Sequence, residues 1–250
     1  MNKQQNIYET DKLVSMYCDF QYGEDHLGVE NFAVACAKKA IAYSQNIEQG
    51  KALDLGCATG RATFELARVF KQVCGVDYSQ NFVQVAAALQ RNDSISYQQQ
   101  GEGALSKHLK VHLDDFDLGA TRNKVNFLQR DACALDQQLH GYNLIMATNL
   151  IDRLYQPALF LSSIDERINQ HGYLVLTSPY TWLEEYTKKE FWLGGYDDAN
   201  GNEVSSFDGL KQRLATNFDL VACEDVPFVI RETARKFQYT IAQMTVWQKK

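Results

Sequence analysis

The octapeptide LDLGCATG at residues 53–60 decides how this chain is read. It completes a short apolar run, KALDLG (51–56), that ends in an acid and a glycine. RATFELARVF follows, with Phe64, Ala67 and either Leu66 or Phe70 on one side of a helix. The order is strand, glycine turn, helix. Such a turn at the carboxyl end of a first strand lets the backbone pass close to a nucleotide-containing ligand, because no Cβ stands in the way. A dinucleotide fingerprint begun at Gly56 needs glycine at positions 58 and 61, where the chain has Ala58 and Arg61, so a nicotinamide dinucleotide is disfavoured.

Working outward, QVCGVDYS (72–79) repeats strand-then-turn and NFVQVAAALQ (81–90) forms a second amphipathic helix. Upstream, NFAVACAKKAIAYSQ (31–45) places Phe32, Ala35, Cys36 and Ala40 at helical spacing behind an Asn31 cap. Residues 91–123 break the rhythm with a polar, partly alternating stretch that reads as an inserted hairpin or extended excursion. Then come strands at 125–133 and 142–150, a helix over roughly 157–169 and a strand at 172–180. Their short apolar runs suit a parallel sheet buried on both faces. An aromatic insertion (180–204) precedes a helix, FDGLKQRLATN, and two β-rich segments joined by RETARK, expected as an antiparallel hairpin at the sheet edge. We expect one α/β domain over 1–250, with a helical lid at 1–50 and insertions at 91–123 and 180–204.

Composition narrows the function. The chain has 250 residues, 45% of them hydrophobic and 22% charged, which are ordinary globular proportions. A net charge of −6 and a pI near 5.4 supply no cationic field for nucleic acid or an anionic membrane, so small-molecule partners are expected. The six cysteines form no CxxC pair, the N-terminal residues lack the apolar stretch of a secretory signal, and no window approaches 18 apolar residues. These features point to a reducing cytoplasm.

The string Asp54-Leu55-Gly56-Cys57-Ala58-Thr59-Gly60 resembles motif I of class I S-adenosylmethionine-dependent methyltransferases, commonly acidic-x-G-x-G-x-G, with Ala58 in place of the middle glycine. The resemblance implies a Rossmann-like, seven-stranded, mostly parallel sheet with helices on both faces and an antiparallel last strand. It also implies that Asp77, 17 residues after Gly60 and next to Tyr78, accepts hydrogen bonds from the ribose hydroxyls, and that Asp131-Ala132 hold the adenine. Thr148-Asn149-Leu150 would line the methyl-transfer centre. Taken singly, Asp54 reads equally as a helix cap, Asp77 as a strand-end acid and Asp131 as a turn residue; their order at successive strand ends is what points to the cofactor.

Longer strings, among them YETDKLVSMYCDFQYG (8–23), NLIDRLYQP, LTSPYTWLEEYT, FWLGGY and DVPFVIRETARKFQYTIAQMTVW, resemble the 4-mercaptohistidine N1-methyltransferase family of ovothiol biosynthesis over nearly the whole chain. That resemblance implies transfer of a methyl group to an imidazole nitrogen of 4-mercaptohistidine, giving ovothiol A and S-adenosylhomocysteine. Many members carry an iron-dependent sulfoxide synthase in the same protein. No three-histidine iron site can be assembled from His26, His108, His112, His140 and His171, so a separate synthase is the expected partner. HLKVHLDD alternates, placing His108 and His112 along one strand face, and no metal is assigned.

The chemistry demands little: a neutral imidazole, with a pKa of about 6.5, already offers a lone pair, so alignment and a group for the departing proton are what the protein must supply. Asn149 and Asp152 are expected beside the ring, with Tyr180 as a further catalytic candidate and a pocket wall together with Trp182. A free amino acid also calls for a guanidinium fork and an acid, which directs attention to Arg231, Glu232 and Arg235, with Arg231 as the carboxylate clamp. In the lid, Tyr8 and Tyr17 are candidates for the cofactor's methionine carboxylate, as is Arg61 beside motif I, and Tyr22 for the substrate. Two other readings stay open: methylation of another small amine, thiol or carboxylate, and a non-catalytic cofactor-binding partner of the synthase.

Overall fold

The computed structural model describes residues 7–250. Two helices, α1 (Asp11–Tyr22) and α2 (Phe32–Tyr43), precede the sheet, and side chains of Thr10 and Asn31 accept the first free N–H groups of each. In β1 (Lys51–Leu55) the period of two sends Leu53 and Leu55 to one side and Ala52, with Asp54, to the other. The same alternation runs through the central strands, so the sheet separates two apolar layers.

After β1 come α3 (Arg61–Leu66), β2 (Gln72–Asp77) and α4 (Gln80–Asn92). The α3 helix is shorter than its apolar pattern indicates, because the chain tightens at Arg68 and Val69, whose N–H groups reach back only three residues. The 91–123 excursion contains an antiparallel hairpin of β3 (Ser94–Gln100) and β4 (Ser106–His112), followed by two 3-10 turns. The hairpin packs on α1, where Tyr97 donates its hydroxyl to Asp19 at 3.2 Å.

The sheet resumes with β5 (Val125–Gln129), β6 (Tyr142–Thr148), α5 (Pro157–Ile164) and β7 (Ile168–Ser178). The helix expected to run to about residue 169 stops at Ile164, since a 3-10 turn follows and Ile168 already starts β7. Between β7 and α6 (Ser206–Leu214) lies the 180–204 segment, with one small hairpin of β8 (Tyr196–Asp197) and β9 (Glu203–Val204). The chain ends in β10 (Phe218–Arg231) and β11 (Phe237–Lys249), paired antiparallel.

The seven strands are ordered β10-β11-β7-β6-β1-β2-β5. β1, β2, β5, β6 and β7 are mutually parallel, and β11 enters antiparallel beside β7, as expected of the last strand. Helices α1 to α4 cover one face and α5 and α6 the other. Successive strands leave β1 in opposite directions, so a crevice opens between the carboxyl ends of β1 and β6. Among the described residues no helix is long and apolar enough to cross a membrane.

Phe160 of α5 is fully buried in the second layer. Phe160→Ala is expected to cost about 3–5 kcal/mol, read as a lowered urea midpoint with an unchanged slope. A loss below about 1 kcal/mol would mean that this layer does not hold the sheet.

Candidate active site

The turn out of β1 is built from backbone. Gly56 and Cys57 donate their N–H groups to the Val76 carbonyl at 2.8 and 3.1 Å, and Ala58 donates its N–H to Asp77 Oδ2 at 2.9 Å. These bonds need left-handed backbone at Gly56, Ala58 and Gly60, with φ of 73, 47 and 93°. A Cβ at Gly60 would meet the Phe127 ring at 2.9 Å. From α1, Gln21 takes the Thr59 hydroxyl at 2.6 Å and gives its amide to the Cys57 carbonyl at 3.3 Å.

Four carboxylates stand at the carboxyl ends of four neighbouring parallel strands and line one cavity of about 460 Å³. Asp54 is fully buried; its Oδ2 accepts from Thr63 Oγ1 at 2.7 Å, while Oδ1 has no partner in the protein. Burial pushes its pKa up to about 7. Asp77 accepts from Ala58 and, at 2.8 Å, from the Ser79 N–H, and burial raises it to about 6 against those bonds. Asp131 accepts from the Cys133 N–H at 2.8 Å and the Tyr155 hydroxyl at 3.1 Å. Asp152 is fully buried, and its Oδ2 collects the Thr181 N–H and hydroxyl and Arg153 Nη1 at 3.0 to 3.1 Å. Its Oδ1, like that of Asp54, is buried without a partner. Two orphaned carboxylate oxygens on residues that line a cavity call for donors or positive charge that the protein itself does not supply.

Of the residues singled out from sequence, Tyr8, Tyr17, Asp54, Gly56, Cys57, Ala58, Asp77, Tyr78, Asp131, Ala132, Asn149 and Asp152 line this cavity together. Gly60 stands behind it, in contact with the strand layer. The others need correction. Arg61 is 7% exposed, bonds Glu65 at 2.9 Å and stacks on Phe116 at 4.0 Å, so its charge is already matched inside the protein. Tyr22 is buried and donates to the Thr59 carbonyl at 3.0 Å, bracing the loop. Tyr180 turns away to donate to Gln243 at 2.9 Å, and Trp182 donates to Ser206 at 2.8 Å while stacking on Trp192 within the second layer.

Alternation explains the displacement of Arg231. Phe228 and Ile230 of β10 face the cavity, whereas Val229 and Arg231 face a separate small pocket where Arg231 lies 3.7 Å from Asp19. Beyond it the backbone turns: Glu232 pairs with Lys236 and Arg235 is exposed, so the expected extended arrangement of the three is absent.

Sequence reasoning missed the apolar Phe20, Phe32, Phe228 and Ile230, and with them Arg153, Glu185 and Tyr186 of the same lining. Arg153 and Tyr186 lie within strings that carried the finer family resemblance, but only the folded chain brings them together. Among the described residues no group of three or more His, Cys, Asp or Glu side chains is arranged to hold a metal.

A family model described as a methyltransferase domain matches residues 47–203, well over half of the chain. The chain therefore belongs to the methyltransferase domain family and is an enzyme of the S-adenosylmethionine-dependent class. A search of curated proteins returns no match. Among solved structures, it is similar to the N-methyltransferase NodS from Bradyrhizobium japonicum WM9 in complex with S-adenosylhomocysteine, at 13% identity and a TM-score of 0.54, covering 96% of this chain and 99% of that one. It is similar too to magnesium protoporphyrin IX methyltransferase from Synechocystis PCC 6803 with bound S-adenosylmethionine, at 13% identity, TM-score 0.51 and coverage of 98% and 100%. The [4+2]-cyclase SpnF matches at 16% identity, TM-score 0.55 and 96% coverage of both chains. At these identities the likeness is one of fold, and the substrate has to be argued from the site.

The cavity suits its cofactor, S-adenosylmethionine, whose positive charge complements Asp54 and Asp77, which burial otherwise drives toward their neutral forms. Asp54 gives this a pH signature. Its folded pKa lies above the ordinary 3.8, so the stability it contributes is complete below about pH 4 and is lost as pH rises to about 7. In ligand-free protein, wild type should therefore lose stability relative to Asp54→Asn between those limits, with the difference constant above pH 7. Parallel melting curves across this range would refute the assignment.

Proposed function

We propose that this enzyme methylates an imidazole nitrogen of 4-mercaptohistidine to form ovothiol A. The observation that carries the reading is Asp152, a residue of the cavity lining whose Oδ1 is buried without a protein partner. Three donors on Oδ2 hold the carboxylate in one orientation. An oxygen fixed in this way accepts the N–H of a neutral imidazole, which selects the tautomer whose lone pair sits on the other nitrogen.

Bound S-adenosylmethionine supplies an electrophilic methyl group on its sulfonium. As the new N–C bond forms and the C–S bond breaks, positive charge passes to the ring, where Asp152 stabilises it at the opposite nitrogen. The N–H proton then leaves through Asp152, giving neutral product and S-adenosylhomocysteine. Asn149 lines the same wall, its Oδ1 engaged by Thr177 at 3.0 Å, which leaves its amide hydrogens to other acceptors. Phe20, Phe32 and Phe228, with Phe32 and Phe228 centroids 4.8 Å apart, offer flat apolar surface for the ring and its sulfur.

The N-terminal segment is proposed as the cover of the cofactor half. Glu9 accepts the N–H groups of Gln80 and Asn81 at 2.8 and 3.2 Å, and Ser79 donates to the Tyr8 carbonyl at 3.0 Å, which fastens Tyr8 over the β2–α4 turn. Residues 1–6 of the expected lid lie outside the described residues. The thiolated acceptor would come from a separate sulfoxide synthase.

Purified enzyme should release S-adenosylhomocysteine with 4-mercaptohistidine, and Asp152→Asn should lower kcat about 100-fold while S-adenosylmethionine affinity stays within about twofold. Cofactor binding without release would favour the binding-partner reading, release with other amines, thiols or carboxylates alone would reassign the acceptor, and a wild-type rate in Asp152→Asn would remove Asp152 from the chemistry.

A further inference from the structure

Arg153 follows Asp152 on the turn after β6, and it is the cavity's most fully engaged cation. Its Nη1 donates to the Asp152 carbonyl at 2.9 Å, to Asp152 Oδ2 at 3.0 Å and to the Thr181 carbonyl at 2.9 Å. Nη2 donates to Thr181 Oγ1 at 2.9 Å. The guanidinium carbon sits 5.1 Å from the centre of the Tyr186 ring, which fixes the plane of the group. These bonds use the Nη1 end of the fork. Among the described residues nothing engages Nε, and Nη2 has a second hydrogen; together they form the edge that matches the two oxygens of a carboxylate.

Tyrosines stand near the guanidinium. Tyr8 and Tyr186 have ring centres 6.3 Å apart, Tyr8 and Tyr17 6.2 Å, and all three line the cavity with Arg153. Burial pushes the Tyr17 hydroxyl up to about 12 and that of Tyr8 higher, so both remain protonated donors near neutral pH. Arg130, the other arginine in the lining, is half-exposed and bonded to Asp136 at 2.6 Å. Glu185, adjacent in sequence to Tyr186, offers a carboxylate to the same space.

We propose that Arg153, with Tyr8, Tyr17 and Tyr186, forms a binding site for the carboxylate of an α-amino acid, with Glu185 placed for its ammonium group. Two ligands bring that chemistry: the methionine moiety of the cofactor and an amino-acid acceptor. Assignment to the acceptor rests on the function proposed above; the site itself does not. It replaces Arg231, which faces Asp19 instead.

The test compares ligands that differ only in the amino-acid group. S-adenosylhomocysteine is set against 5′-methylthioadenosine, and 4-mercaptohistidine against 4-mercaptohistamine, the second pair by calorimetry on protein loaded with S-adenosylhomocysteine. Wild type, Arg153→Gln and the charge-keeping Arg153→Lys are measured, with folding checked by circular dichroism. For the acceptor's carboxylate, Arg153→Gln should weaken 4-mercaptohistidine about 10- to 100-fold more than 4-mercaptohistamine, which shares only the ring contact with Asp152 that Arg153 helps to orient, and leave S-adenosylhomocysteine within about twofold, with Arg153→Lys intermediate. For the cofactor's carboxylate, S-adenosylhomocysteine should weaken by that factor while 5′-methylthioadenosine does not. If both members of each pair change equally, or if wild type shows no preference for the carboxylate-bearing member of either pair, the site is wrong. The wild-type comparison decides even where a variant fails to fold. Failure of 4-mercaptohistidine to bind or turn over removes the proposed acceptor, and the cofactor pair still decides the site.

Discussion

Between Leu55 and Arg61 the backbone turns left-handed three times, and it is held there by N–H groups donated to the Val76 carbonyl and the Asp77 carboxylate. That turn ties the end of β1 to the end of β2 and sets the floor of the cavity. It also fixes what approaches from outside the sheet: Gln21 and Tyr22 reach Cys57 and Thr59 only because α1 ends directly above them. Ala58 adopts φ of 47° where a glycine would do so without strain, a cost of order 1 kcal/mol that the Asp77 bond and the packing around it hold in place. Asn149 and Tyr180, at the ends of β6 and β7, are left-handed too, so the strained non-glycine positions at the ends of parallel strands gather around one crevice.

Charge follows from this geometry. Parallel strands deliver Asp54, Asp77, Asp131 and Asp152 to a common edge, where burial works against ionisation of Asp54 and Asp77 and one oxygen each of Asp54 and Asp152 has no partner in the protein. A cationic cofactor answers that excess, which is why the pH response of the empty protein and its affinity for the cofactor are two views of the same group. Arg153, the tyrosines and the apolar side chains of Phe20, Phe32 and Phe228 complete the lining, and an acceptor is placed against them in the proposed reaction.

Local features were legible in the sequence. The glycine turn, the acid ending β2 and the acid after β5 depend on residues within one strand–turn unit, so their spacing survives without knowledge of the fold, and the sheet architecture followed from the resemblance they carry. The substrate wall was not legible, because Phe20, Phe32 and Phe228 come from three distant segments and each reads alone as core. Arg231 shows a second limit: at the end of a strand, one residue decides the face, and Ile230 rather than Arg231 points inward. Arg61, Tyr180 and Trp182 had the right chemistry at nearly the right place, yet each found a partner inside the protein, in Glu65, Gln243 and Ser206. Polar side chains this close to a site are as readily used to brace it as to line it.

The central claim is that Asp152 grips one ring nitrogen of the acceptor and leaves the other exposed to the methyl group. Nitrogen NMR of ring-labelled 4-mercaptohistidine bound to protein loaded with S-adenosylhomocysteine tests it directly. A single tautomer with a strongly downfield ring N–H proton, lost in Asp152→Asn, is the predicted result. A bound ring that keeps the tautomer mixture of free solution, or an N–H signal indifferent to Asp152→Asn, would contradict it.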